Sequence, residues 1–170
     1  MNSTLIRILI YVLVFVIIQI PMLHGWVLFD QAFPFQYIGL ILLLPHRLTK
    51  SAVLWIAFAL GLIIDLFSNT PGLHASASVF IAFTRLSWLG VVDDTSEEEL
   101  DLTTAVLGVR RFTFYIFPLI FLHHALVFVL ENEGLRWFWM LLGKTFWSSL
   151  YSFVIILIVA LYVAPRGRRL

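Results

Sequence analysis

Most of the residues in this chain that could do chemistry lie inside long apolar runs, and Asp65 is the clearest of them. It follows an apolar stretch, Ala52 to Ile64, that is long enough to enter a bilayer core, and Leu66 and Phe67 continue that stretch beyond it. Insertion of an aspartate at mid-membrane costs roughly 2.5–3.5 kcal/mol, and less toward an interface. A residue kept at that cost has a partner or a task. Three tasks are open on chemistry alone: a hydrogen-bond lock between helices, a contact with a partner or ligand, or a catalytic acid. Ala57, Gly61 and Asp65 are spaced i, i+4, i+8 and share one helix face, where small residues let another helix approach closely. Further on, Gly72 and Ser76 are four apart, and Ala75, Ala77 and Ser78 keep the next helix slim at its start. Asn69-Thr70-Pro71-Gly72 between them predicts a tight turn, with φ preset at Pro71 and Gly72 free to take φ > 0. Asp65 is then expected to accept hydrogen bonds from Ser68, Asn69 or the first N–H groups of the helix that carries His74 and Ser76.

His123 and His124 are the second candidate pair, about a turn after Pro118. Adjacent helical residues point ~100° apart, so the two cannot face one metal as an i, i+4 pair would. Hydrogen bonding between helices is the expectation for both. Pro118 should bend its helix and free carbonyls that a neighbour must satisfy. The chain contains no cysteine, which removes disulfides, thiol nucleophiles and thiolate metal sites. It shows no phosphate-cradling glycine loop, no paired intramembrane carboxylates, no Gly-x-Ser-x-Gly elbow and no His-Glu-x-x-His. No catalytic residue, metal site or cofactor is therefore expected.

The elements that must position these residues are membrane helices. Hydrophobic residues make up 61% of the 170 residues and charged ones 12%, against about 45–50% and 25% in soluble domains. The fold class expected is an all-α integral membrane protein of about six transmembrane helices in a single polytopic domain, 1–170. The apolar segments are 5–23, 33–44, 52–67, 74–88, 112–130 and 145–163, with a cytoplasmic acidic connector over about 89–111. The run 5–23 is long for a signal-peptide core and lacks a small-residue cleavage site, so it reads as the first span. The weakest segment is 33–44, held between Pro34 and Pro45, which must recruit flanking residues, thin the bilayer or form a half-span shielded by other helices. Six spans with both termini in the cytoplasm place nine of the eleven basic residues inside, leaving only Arg136 and Lys144 outside. Arg85, Arg110 and Arg111 count here as flanks of the connector. The basic residues thus serve topology, and nothing supports nucleic-acid binding. Trp88, Trp137, Trp139 and Trp147 fall near span ends as interfacial anchors. The run Asp93–Asp101 carries a capping-box spacing at Ser96 and Glu99 and is either a solvated connector or a docking site for a cytoplasmic partner.

Gly61-x-x-x-Asp65 followed by Thr70-Pro71-Gly72-Leu73-His74-Ala75 resembles the signature of the MreD family, the rod shape-determining membrane proteins of bacteria. The specific match covers about residues 57–82, while elsewhere only hydropathy, small size and a short basic C-terminus agree. The resemblance implies a non-catalytic inner-membrane scaffold of the cell-wall elongation machinery (the elongasome) that affects cell shape. Its direct partner would be an MreC-like bitopic protein, with indirect links to the MreB filament and the RodA–transpeptidase synthase; self-association into a homo-oligomer is left open. The family is also similar, in hydropathy and fold, to the six-helix substrate-binding subunits of energy-coupling-factor transporters. That likeness implies an alternative: a small-molecule-binding subunit whose outward pocket draws on Trp26, Asp65 and His74.

Overall fold

The computed structural model describes residues 10–17, 19–22, 27–28, 32–45, 48–92, 104–132, 134–135 and 137–163. The described secondary structure is helical apart from one isolated bridge between Leu28 and Ala32. After a π-helical stretch, Leu13–Ile17, come α1 (Gln19–Met22), α2 (Ile38–Leu42), α3 (Lys50–Ser68), α4 (Leu73–Val92), α5 (Thr104–Glu131) and α6 (Phe138–Val163). The last four are each long and apolar enough to cross a membrane. The connector 93–101, Trp26, and the basic residues Arg7, Arg47, Arg136, Arg166, Arg168 and Arg169 lie outside the described residues.

The α3–α4 hairpin follows from its sequence. Thr49 opens α3 with extended dihedrals, and its hydroxyl accepts the Ala52 N–H. Val53, Ala57, Leu60, Gly61, Ile64 and Asp65 recur at helical spacing and form the buried face. Asn69 ends the helix in the left-handed region at φ 55°, a conformation its short polar side chain tolerates. Gly72 follows at φ +82°, as the turn requires. The helices then meet at Gly61. A Cβ there would lie 2.4 Å from the Cα of Ala75 and 2.7 Å from the His74 carbonyl oxygen, so the contact is backbone against backbone. The floor of α4 is Ala75, not the Gly72–Ser76 line that the spacing proposes. Gly72 and Ser76 are both exposed, and a Cβ on Gly72 would meet nothing within 4 Å.

Segment 33–44 is not one continuous helix. Residues 33–35 are extended, 36–37 turn, and α2 provides only five helical residues, roughly 7.5 Å of rise. Every residue from 34 to 45 is buried, so this strap is the centre of the molecule. Its packing is tight: a Cβ on Gly39 would come within 2.9 Å of Ile156 and 3.0 Å of the Phe15 ring. The long helices surround the strap and turn large apolar side chains such as Trp55 and Leu66 outward, 70% and 82% exposed.

In α5, Gly108 (φ 71°, ψ 156°) interrupts the helix before its long apolar stretch. Pro118 lacks the N–H that would meet the Phe114 carbonyl, and the Trp88 indole N–H of α4 reaches that oxygen at 3.3 Å and the Tyr115 oxygen at 3.1 Å. The carbonyls freed by the proline are satisfied by a neighbour, as expected. Trp88 is consequently a helix-to-helix donor, and Trp137, Trp139 and Trp147 are exposed around the start of α6.

The Gly61 contact sets a test. Gly61→Ala is expected to abolish or sharply reduce recovery of monodisperse folded protein in detergent. Gly90→Ala, where a Cβ meets nothing within 4 Å, should be neutral or stabilise by about 0.5–1 kcal/mol. Size-exclusion profiles and melting temperatures of the two variants measure the difference.

Candidate functional site

Asp65 sits one turn before the end of α3, 4% exposed, facing the start of α4. One carboxylate oxygen, Oδ1, accepts the Thr70 hydroxyl at 3.0 Å and the His74 N–H at 2.8 Å. The other, Oδ2, accepts the N–H groups of Gly72 at 3.1 Å and Ala75 at 3.0 Å. The first N–H groups of a helix have no partner within it, and its dipole places partial positive charge there. A carboxylate is acceptor-only and offers two oxygens, so one side chain pairs three backbone donors and a hydroxyl. The backbone carbonyl of Asp65 takes the N–H groups of Asn69 and Thr70 as well. Of the expected donors, the N–H groups at the α4 start supply the contacts. Ser68 and Asn69 give no side-chain bond to the carboxylate, and Thr70, not singled out from the sequence, does. Pro71 is exposed in the turn and Gly72 lends its N–H.

His74 joins this lock to a second group of polar residues. Its N–H binds Asp65, while its Nδ1 lies 3.0 Å from the Tyr37 hydroxyl. The same hydroxyl is 2.7 Å from His123 Nε2. One O–H proton placed between two imidazole nitrogens means that one nitrogen accepts and the other donates, so the tautomers of His74 and His123 are coupled through Tyr37. His124 faces another way: its Nδ1 pairs with the Ile120 carbonyl at 2.9 Å and its Nε2 with the Ser152 hydroxyl at 3.1 Å. The Phe35 ring lies among the three imidazoles, its centroid 5.1 Å from His74, 6.2 Å from His123 and 5.2 Å from His124. His124 links α5 to α6, as expected, whereas His123 links α5 to the turn of the strap at Tyr37 and through it to His74 of α4. Ser76 makes no such link: its hydroxyl donates to the Leu73 carbonyl of its own helix at 2.9 Å.

Four more buried polar side chains, Gln19, Arg85, Ser148 and Ser152, hold the strap together with the Tyr115 hydroxyl. Ser148 and Ser152 accept the N–H groups of Phe33 and Phe35 at 2.9 and 3.0 Å. The fit is geometric, because alternate residues of an extended chain are about 6.6 Å apart and i, i+4 hydroxyls on a helix about 6.0 Å apart. Pro34 between them has no N–H to pair. Gln19 spans the next step, giving its Nε2 to the Pro34 carbonyl at 2.7 Å and taking the Tyr37 N–H at 3.2 Å. At the far end the guanidinium of Arg85 donates to the carbonyls of Ile41 and Leu44, and the Tyr115 hydroxyl to that of Leu42 at 3.1 Å. Arg85 is therefore a correction to the charge reading. It is not a solvated flank of the connector but a fully buried cation at the C-terminal, partially negative end of α2, and it has no carboxylate partner among the described residues.

Sequence reasoning singled out none of Gln19, Tyr37, Tyr115, Ser148 and Ser152. A signal existed in the polar positions Ser148, Ser149 and Ser152 of an otherwise apolar span, four apart at its ends, and in Arg85 lying thirteen residues into a helix. Chemically, the cluster can hold backbone in an apolar setting and couple two imidazoles through one phenol. No family model, curated protein or solved structure matches the chain.

The Asp65 geometry orders a mutant series. Asp65→Asn keeps one acceptor oxygen but turns an NH2 toward two donors, while Asp65→Leu leaves all four donors unpaired. With charged hydrogen bonds worth about 1.5–3 kcal/mol each, folded yield after detergent extraction should fall in the order Asp, Asn, Leu. Equal loss for Asn and Leu would show that the negative charge facing the helix end, and not the count of accepted bonds, holds the hairpin.

Proposed function

We propose that this chain is a non-catalytic membrane scaffold of the bacterial cell-wall elongation complex, of the MreD kind, which acts on cell shape by binding an MreC-like bitopic protein. The observation that carries this reading is the use made of the signature residues. Gly61 is the point of backbone contact, Asp65 pairs the start of α4, Thr70, Pro71 and Gly72 make the turn, and His74 ties the hairpin to the strap. Each member of the motif has a task in joining helices, which is what a scaffold asks of a motif. The outer surface supports the same reading: Phe138, Trp139, Phe146 and Trp147 form an exposed aromatic face on α6, suited to helix packing by shape with few hydrogen bonds. The MreB filament and the RodA–transpeptidase synthase would be reached through the partner. The setting proposed is the inner membrane, with six crossings, counting residues 5–23 and the strap as the first two, and both termini in the cytoplasm.

A second reading is favoured by one feature. Buried polar side chains gathered around a broken element inside a helical bundle are also how membrane transporters build substrate sites. A subunit like the substrate-binding component of energy-coupling-factor transporters would use His74, Tyr37 and Asp65 near such a pocket.

Tagged protein purified from native membranes separates the two. Recovery of an MreC-like bitopic protein, with no added ligand, is the result expected. A monomer carrying a tightly bound vitamin, with an ATPase in the same fraction, would overturn the scaffold.

The topology has its own measurement. Reporter fusions after Leu170 should be active only as cytoplasmic reporters. A periplasmic C-terminus would mean an odd number of crossings and would remove the strap from the count.

A further inference from the structure

Gln36 stands where the strap turns into α2, and it is 3% exposed. Neither its Nε2 nor its Oε1 has a hydrogen-bond partner in the protein. Its surroundings make this unusual. Gln19, the other buried glutamine among the described residues, has both ends of its carboxamide paired, and the strap's backbone is met by Ser148, Ser152, Arg85 and Tyr115. Two more orphaned atoms touch the same element. His123 Nδ1 belongs to the ring that holds Tyr37, Arg85 Nε to the guanidinium that caps α2, and neither has a partner. Both residues are fully buried.

Buried polar atoms in folded proteins are almost always paired with protein or with ordered water. The chemistry of the carboxamide selects among guests. Its Nε2 needs an acceptor and its Oε1 needs a donor. A cation would suit only the oxygen and an anion only the nitrogen. Water does both, and buried waters commonly make about three hydrogen bonds to groups of this kind, at a frequency of roughly one per 27 residues. We infer that Gln36 is a binding site for buried water, and that the turn of the strap is hydrated inside the bundle. The assignment is independent of whether the chain is a scaffold.

Radiolytic hydroxyl labelling in 18O water, with the intact protein in nanodiscs, tests it directly. Tyr37 and Phe35 flank Gln36 in the chain and are 0% and 7% exposed, so bulk solvent does not label them, but a bound water beside them does. The result expected is 18O incorporation at Tyr37 or Phe35 in the parent protein, lost in Gln36→Met. If Gln36→Met does not fold, labelling of the parent alone carries the test. Absence of label at both rings while exposed Trp139 is labelled would overturn the inference. So would label retained at these rings in a folded Gln36→Met variant, or a stoichiometric organic guest seen by native mass spectrometry.

Discussion

Non-helical backbone buried at the centre of an apolar helical bundle is the constraint on which the rest of this structure depends. Hydrocarbon offers nothing to hydrogen-bond, so non-helical chain persists there only when protein covers it and supplies partners. The strap from Phe33 to Leu44 is such a chain, with extended residues, a turn and a single short helix. Its polar groups are met from three directions: Gln19 before it, Arg85 and Tyr115 at its far end, and Ser148 and Ser152 along its extended part. The four long helices are an apolar cage around this element, and the polar residues inside them are where the strap needs them.

The hairpin at Asp65 answers the same constraint in a smaller form. A helix starting inside a hydrophobic environment exposes N–H groups that water would otherwise satisfy. One carboxylate replaces that water, and the partial charge of the helix end offsets the cost of burying the anion. Arg85 is the mirror case, a cation against the carbonyl end of α2. Neither has a counter-ion among the described residues, because each is matched to a helix terminus and not to another side chain.

How much of this was legible depended on distance along the chain. Asp65, Gly61 and the turn at Pro71–Gly72 stand out as chemical anomalies within one local stretch, and the partners of Asp65 and Gly61 lie within ten and fourteen residues. The face of α4 was misread by one residue. Gly72 and Ser76 have the right spacing, but the helix phase presents Ala75, which chemistry does not distinguish from its neighbours. The four apolar spans after residue 50 follow from hydropathy, whereas segment 33–44 reads from the sequence as a second, weak span and not as extended chain, turn and short helix. Its supports are 115 and 117 residues away at Ser148 and Ser152, and a serine in an apolar helix carries no label naming the backbone it serves. Arg85 reads as a topological charge because position near a span end is all that a sequence shows.

Those long separations bear on biogenesis. When residues 33–44 leave the ribosome, α4 and α6 do not yet exist, and the groups that pair Phe33, Phe35, Ile41 and Leu44 are still to be made. On its own the segment therefore carries backbone groups whose partners only the later helices supply. The extended part of the strap is complete only with α6, so a chain truncated before that helix would leave the Phe33 and Phe35 N–H groups without the hydroxyls that pair them here.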